Sequence, residues 1–435
     1  MDTTLDLDCI INILKFLPFK QRVSSSIVCK SWYDINPYIF DTITVNIYLY
    51  FTNEYYKKWV DKIKPKSYTL KACGDIFLLT SFLDKFTNSH KVLKMYINSG
   101  NIHSILSTIY KCKNLSELKV YNGCLYHNSL NVSRFLNLRT LDLNSVNLKC
   151  LSNDVCDIPL KYLNLTFNNL TTLPDNFANL KNTLISLHIG KNLFSTIPET
   201  VYELENLQTL NFCHNDIAVI HNDISKLKKL KRIVFRGNCL TTIPSTICEM
   251  SDLVHFDFGC NSIEKIPRKI DKLINLNYFD IEYNDLRVIP ESFYKLVNLT
   301  TLHLTSNYVT NISDKIGNLC NLKTLYFNDN RLNYIPHSIN NLVKLQYLQL
   351  CDNKIQHIYI PKLVNLTFLD IHNNFLEIVP DIQDFTKLQY LILYNNLFSA
   401  IDASLFKNLN MLKQLVINVN THIDFFNNKI QLIKL

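Results

Sequence analysis

A single frame printed fifteen times limits what this chain can fold into. Leu299–Val309 reads LTTLHLTSNYV, with apolar residues at offsets 0, 3, 5 and 10 and Asn at offset 8. The same frame starts at Val92, Leu115, Leu138, Leu160, Leu184, Leu207, Leu230, Leu253, Leu276, Leu299, Leu322, Leu345, Leu366, Leu388 and Leu412. The usual step is 23 residues; 21 separate Leu345 from Leu366, and 24 separate Leu160 from Leu184 and Leu388 from Leu412. A unit this short cannot bury its own apolar face, so neighbouring units must stack into one continuous core.

Offsets 3 and 5 point to one side of a strand and offsets 2, 4 and 6 to the other. Each unit therefore supplies one short parallel strand, and fifteen of them at ~4.8 Å span an arc of about 70 Å. At offset 8 the chain leaves the strand while still buried, and an inward Asn offers both donor and acceptor to the stranded backbone groups. Twelve units keep it, at 168, 192, 215, 238, 261, 284, 307, 330, 353, 374, 396 and 420. Gly100, Gly123 and Val146 replace it in the first three, which read as degenerate early coils. An apolar-Pro pair marks the return path at Leu173-Pro174, Ile197-Pro198, Ile243-Pro244, Ile266-Pro267, Ile289-Pro290, Ile335-Pro336 and Val379-Pro380. Proline fixes φ and donates no hydrogen bond, which suits a tight or extended convex segment.

LxxLxLxxNxL at this period resembles the leucine-rich repeat, over roughly three-quarters of the chain. The apolar-Pro ending is similar to the 23-residue intracellular class that includes Ras-pathway scaffolds. The resemblance implies an α/β solenoid, a leucine-rich-repeat horseshoe over 92–422, closed by a C-terminal cap at 423–435 in which Phe425 and Phe426 cover the last coil. That tail is too short for the cysteine-based ligase domain of bacterial repeat effectors.

Composition narrows the function. The 435 residues hold seven glycines and no GxxxxGK[ST] or GxGxxG, so a phosphate loop has little material. Thirteen cysteines without a CxxC pair or cysteine-rich cap fit a reduced setting, cytoplasmic or nuclear. The formal charge of +8 comes largely from lysines on returning segments such as Lys226–Arg232. A solvated convex face accounts for them, so neither nucleic acid nor membrane is an expected partner. The acidic start MDTTLDLD is not a signal peptide, and no apolar run reaches ~18 residues.

Residues 1–40 leave the frame. Ile10, Ile13, Leu14 and Leu17 form a helical stripe ended by Pro18, and Val28, Trp32 and Ile35 form a second. Two such short helices cannot close a core alone. Leu5, Asp8, Ile13-Leu14, Leu17-Pro18 and the closing VCKSW resemble, without a gap, the F-box, a small all-α segment. The resemblance implies docking to a Skp-type cullin adaptor through Leu5, Ile10, Ile13, Leu14, Leu17, Pro18, Val28 and Trp32. Asp6 stands where the family usually has proline, and Arg22 where an apolar residue is common. Between the two parts, 41–91 reads as a connecting region with worn first coils at Thr42–Ile47 and Tyr68–Ala72 and a helix over Asn53–Ile63.

Recognition in a solenoid falls on the concave strand face, at offsets 2, 4 and 6. Earlier coils place Arg232 and Arg236 there. Later ones place Asp257, Tyr278, Asp280, Glu282, His303, Tyr326, Tyr347, Phe368, Asp370, Tyr390 and Tyr394. Aromatic area among fixed carboxylates favours a cationic segment of a protein partner. Asp280 beside His303 lacks a third metal ligand, and Cys351 has no evident activating histidine, so no metal, cofactor or catalytic group is expected. The combined resemblance implies a non-catalytic substrate receptor of a cullin-type ubiquitin ligase. The Gly-poor, Asn- and Ile-rich pattern is similar to F-box and repeat proteins of giant DNA viruses. The alternative is a repeat scaffold of the Ras-pathway type, with the helical start merely capping the first coil.

Overall fold

The computed structural model describes residues 42–62, 67–73, 76–85, 92–98, 109–123, 125, 131–423 and 430–435. The candidate adaptor residues Leu5 to Trp32, and Phe425 and Phe426, lie outside them. Two compact units divide the chain, Met1–Asn192 and Leu193–Leu435, and the described residues of each form leucine-rich-repeat coils. Among the described residues no helix is long and apolar enough to cross a membrane.

The first unit carries β1 (Thr42–Asn46), β2 (Ser67–Cys73), β3 (Val92–Asn98), β4 (Glu117–Tyr121), β5 (Thr140–Asn144), β6 (Tyr162–Asn164) and β7 (Ser186–His188). Each pairs parallel with the next. Helices α1 (Ile47–Thr52), α2 (Glu54–Lys62) and α3 (Ile76–Lys85) fill the first returns, burying Ile47, Val60, Leu79, Phe82 and Leu83. The early coils are not worn in their strands. β2 and β3 run for seven residues, against three for β6 and β7. The missing Asn belongs to the exit turn, so its loss leaves the alternation Met95, Ile97 inward and Lys94, Tyr96 outward intact.

The second unit carries β8 (Thr209–Asn211), β9 (Arg232–Val234), β10 (His255–Asp257), β11 (Tyr278–Asp280), β12 (Thr301–His303), β13 (Thr324–Tyr326), β14 (Tyr347–Gln349), β15 (Phe368–Asp370), β16 (Tyr390–Ile392), β17 (Ala400–Ile401), β18 (Gln414–Ile417), β19 (His422–Ile423) and β20 (Gln431–Lys434). β8 to β16 pair parallel in sequence with equal offsets aligned, for example Tyr278 with Thr301 and Asp280 with His303. β16 pairs with β18 and β18 with β20, so the tail adds a further parallel strand to the sheet. Offsets 3 and 5 are fully buried, and Phe212, Phe235 and Phe258 pack ring to ring 5.7 and 5.4 Å apart. Such aromatic pairs contribute ~0.5–1.5 kcal/mol beyond the area they bury.

The inward asparagines link each coil to the one before. Asn307 donates through Nδ2 to the carbonyls of Ile281, Leu304 and Thr305 at 3.0, 3.2 and 3.1 Å, and its Oδ1 accepts from the Leu286 amide at 3.0 Å. Asn330, Asn353 and Asn374 repeat the pattern. Asn420 does not. It is exposed, because the last frame turns out toward β19 at His422 instead of continuing inward. One residue before the Asn, at offset 7, the backbone is left-handed in coil after coil, from Asn122 (φ 51°) through Phe167, Tyr283 and Asp352 to Asn395 (φ 53°). On the return side Pro174, Pro198, Pro244, Pro290 and Pro336 cap 3-10 turns with φ between −57° and −67°, which proline's ring imposes without strain.

Candidate functional site on the strand face

Alignment of equal offsets turns sequence repeats into columns of outward side chains. In the second unit offset 2 runs Arg232, His255, Tyr278, Thr301, Thr324, Tyr347, Phe368, Tyr390, and offset 4 runs Val234, Asp257, Asp280, His303, Tyr326, Gln349, Asp370, Ile392. The face therefore brings Asp257, Tyr278, Asp280, Glu282, His303 and Tyr326 into one network. Asp280, 3% exposed, is its centre. Its Oδ2 accepts from the Tyr278 hydroxyl at 3.0 Å and lies 3.2 Å from His303 Nδ1, and its Oδ1 accepts from the Glu282 amide at 3.0 Å. His303 stacks on Tyr326 at 4.6 Å, and Tyr278 on His255 at 4.1 Å.

The network corrects one expectation. The change from basic earlier coils to acidic later ones does not separate Arg236 from the acids: it reaches across the next two coils into the carboxylates. Its Nη1 lies 3.3 Å from Asp280 Oδ2 and 3.7 Å from Asp257 Oδ1, and its Nη2 pairs with Glu282. Gly259 makes this possible, since a Cβ there would run into the guanidinium. The carboxylates thus carry their own cation, which weakens the case for a strongly cationic partner at this point.

Proton affinities follow the same geometry. Burial, then the neighbouring Asp280 charge, pushes Asp257 up to about 6. Burial also works against ionised Asp280, but hydrogen bonds from His303 and the Glu282 amide, with Arg236, hold its carboxyl below the usual range. Burial and the Arg232 charge push His255 down to about 4.

Further along, Tyr347, Phe368 and Tyr390 form an aromatic row with centroids 6.4 and 6.1 Å apart, Tyr347 being 43% and Tyr390 37% exposed. Asp370 and Tyr394 meet through His372, which stands at offset 6 of the same coil as Asp370. His372 Nδ1 lies 2.6 Å from Asp370 Oδ1, and its ring stacks on Tyr394 at 4.3 Å. Burial opposes its proton, but the Asp370 hydrogen bond and charge prevail and raise the imidazole above its usual value. Cys351 does therefore have a histidine close by, yet burial and the charges of Asp370 and Asp352 push the thiol up, the reverse of activation. Asp280 and His303 likewise do have a third donor within reach, Glu282, but Arg236 engages it.

The first unit holds a face outside the expected set. Glu117 lies between Lys94 and Lys119 at 2.9 and 2.8 Å and accepts from the Tyr96 hydroxyl at 3.1 Å, and Tyr121 donates to Asp142 at 3.2 Å. The signal for it stands at offsets 2, 4 and 6 of the frames at Val92, Leu115 and Leu138, coils that the missing Asn marks as degenerate. His255 is a similar omission, at offset 2 of the Leu253 frame.

Comparison with known proteins agrees with these coils. Models described as leucine rich repeat match 252–309 and 297–355, and a further one matches 159–180. An 87-residue stretch is 39% identical to human leucine-rich repeats and immunoglobulin-like domains protein 3, covering 20% of this chain; the chain spans only 8% of that relative's length. A leucine-rich-repeat protein of Leptospira interrogans superposes with a TM-score of 0.73 at 24% identity, over 91% of this chain and 98% of its own. The plant peptide hormone receptor RGFR1 in complex with RGF2 superposes at 0.65 and 25% identity, over 82% of this chain and 59% of that one. The F-box domain model matches residues 3–35, ahead of the coils that the leucine-rich-repeat models match.

Proposed function

We propose that this chain is a non-catalytic substrate receptor of a cullin-type ubiquitin ligase, with its F-box docking a Skp-type adaptor and its repeats holding a protein target. The observation that carries the reading is the pairing of an F-box match at 3–35 with leucine-rich-repeat coils on one chain. Leu5, Ile10, Ile13, Leu14, Leu17, Pro18, Val28 and Trp32 are the residues proposed to pack the adaptor or hold the box together. The mechanism is proximity: a target held beside a charged ubiquitin carrier raises the effective concentration of its lysines.

On the repeats, the proposed contact surface centres on the row Tyr347, Phe368 and Tyr390, where aromatic area is exposed and held in register by β14 to β16. The Asp280 network beside it supplies ordered polar groups at no further ordering cost. A pull-down of purified adaptor tests the first half. The wild type should bind, and Leu14→Asp with Leu17→Asp should weaken binding about 100-fold, the loss expected when two apolar anchors become charged. Equal binding by both would remove the F-box assignment, and no binding by the wild type would favour the scaffold reading.

A further inference from the structure

Two clusters on the strand face share a plan, an aspartate at offset 4 with polar donors at offset 6 of its own or a neighbouring coil, and they differ in one respect. Around Asp280 the cation is built in as Arg236. Around Asp370, the carboxylates of Asp352 and Asp370 gather on His372, and no Lys or Arg among the described residues pairs with either. The buried thiol of Cys351 lies against them.

We propose that Cys351, Asp370 and His372 form a binding site for a divalent transition-metal ion of the zinc type. One donor atom from each lies within 4.8 Å of the others. Tetrahedral zinc with bonds of ~2.0–2.3 Å needs donors about 3.4–3.8 Å apart, so closure costs each side chain a small rotation. The donors are already held: Cys351 and Asp370 are 5% and 6% exposed, Tyr394 stacks on the His372 ring, and the Asp352 amide donates to the His372 carbonyl at 3.1 Å. A solvent molecule takes the fourth position, since Asp352 faces the other ring nitrogen of His372 from Asp370. A thiolate with imidazole and carboxylate selects zinc or cobalt over magnesium or calcium, which prefer oxygen alone.

Binding releases the Cys351 thiol proton to solvent as the sulfur–metal bond forms, so affinity rises with pH. The three-donor set around Asp280 makes an internal comparison, because Arg236 already occupies its carboxylates and no metal is expected there.

The test uses the reduced full chain titrated with Co²⁺. One equivalent should give a sulfur-to-cobalt absorption band and tetrahedral ligand-field bands, displaced by one equivalent of Zn²⁺. Cys351→Ser and His372→Ala should abolish them and weaken zinc binding at least 10-fold in competition with a chromophoric chelator. With thirteen cysteines in the chain, a band that survives Cys351→Ser overturns the assignment, as does a wild type with no band. X-ray absorption of the zinc-loaded wild type needs no variant: one sulfur among nitrogen and oxygen neighbours supports the site, and two or more sulfurs overturn it.

Discussion

Arg236 illustrates how one side chain can reverse the reading of its neighbours. In sequence it stands one coil before Asp257 and two before Asp280 and Glu282, and its coil reads as basic; in space it lies within ion-pair distance of all three. Arg236→Met should therefore destabilise the second unit by about 1–3 kcal/mol, between the values of exposed and fully buried pairs, because Asp280 keeps its charge in a buried place. Urea unfolding checks this, and a change under about 0.5 kcal/mol would contradict it.

Two neighbours on β10 oppose each other in pH. Asp257 ordinarily titrates at 3.8 and is raised to about 6, so the folded chain holds more protons than the unfolded one between pH 4 and 6, and its contribution falls as pH rises through that window. His255 ordinarily titrates at 6.5 and is lowered to about 4, so its contribution has the opposite slope, rising between pH 4 and 6.5. In the wild type the two contributions offset each other. Asp257→Asn should leave stability rising with pH and His255→Gln should leave it falling, each by on the order of 1–3 kcal/mol across the window. Unfolding midpoints measured at pH 4, 5 and 6.5 would show it, and parallel profiles for the two variants would refute it.

At the scale of the coil, the leucine frame was fully legible, because burial of offsets 3 and 5 is demanded by any stacked strand and nothing else in the chain competes for that role. Proline was legible as a turn former but not as the cap of a 3-10 turn. The left-handed offset 7 was masked, since Phe167, Lys191 and Tyr283 stand there beside the Gly237, Asn122, Asp329 and Asn395 that adopt the conformation readily. Stacking enforces it: the offset-7 amide donates to the offset-6 carbonyl of the next coil, as Phe167 does to Gly190 at 3.0 Å and Tyr283 to Thr305 at 2.8 Å. The asparagine ladder was legible in type and wrong at its end, where Asn420 is turned out to solvent. Asn307→Ala should cost about 2–4 kcal/mol, from leaving a buried amide and carbonyls unpaired, whereas the same change at Asn420 should cost under about 0.5 kcal/mol. Equal losses at the two positions would show that the ladder is not what the residue supplies.

For the molecule as a whole, the proposed function divides between the segment that the F-box model matches and a set of coils whose outward columns can be varied without disturbing the core. The columns were readable in part. Aromatic and acidic residues could be placed on the face from offsets alone, but which of them pair depends on side-chain reach across two coils, a distance that no single frame encodes. The exposed row at Tyr347, Phe368 and Tyr390 and the paired network at Asp280 are the result.

The most direct measurement is reconstitution with purified Skp-type adaptor and cullin, followed by size exclusion. Wild type and a Tyr347→Ala, Tyr390→Ala variant should both co-elute with the adaptor–cullin pair, since the aromatic row lies on the repeats, and Leu14→Asp with Leu17→Asp should elute alone. Failure of the wild type to co-elute, or co-elution of all three, would contradict the account of this chain as a ligase receptor.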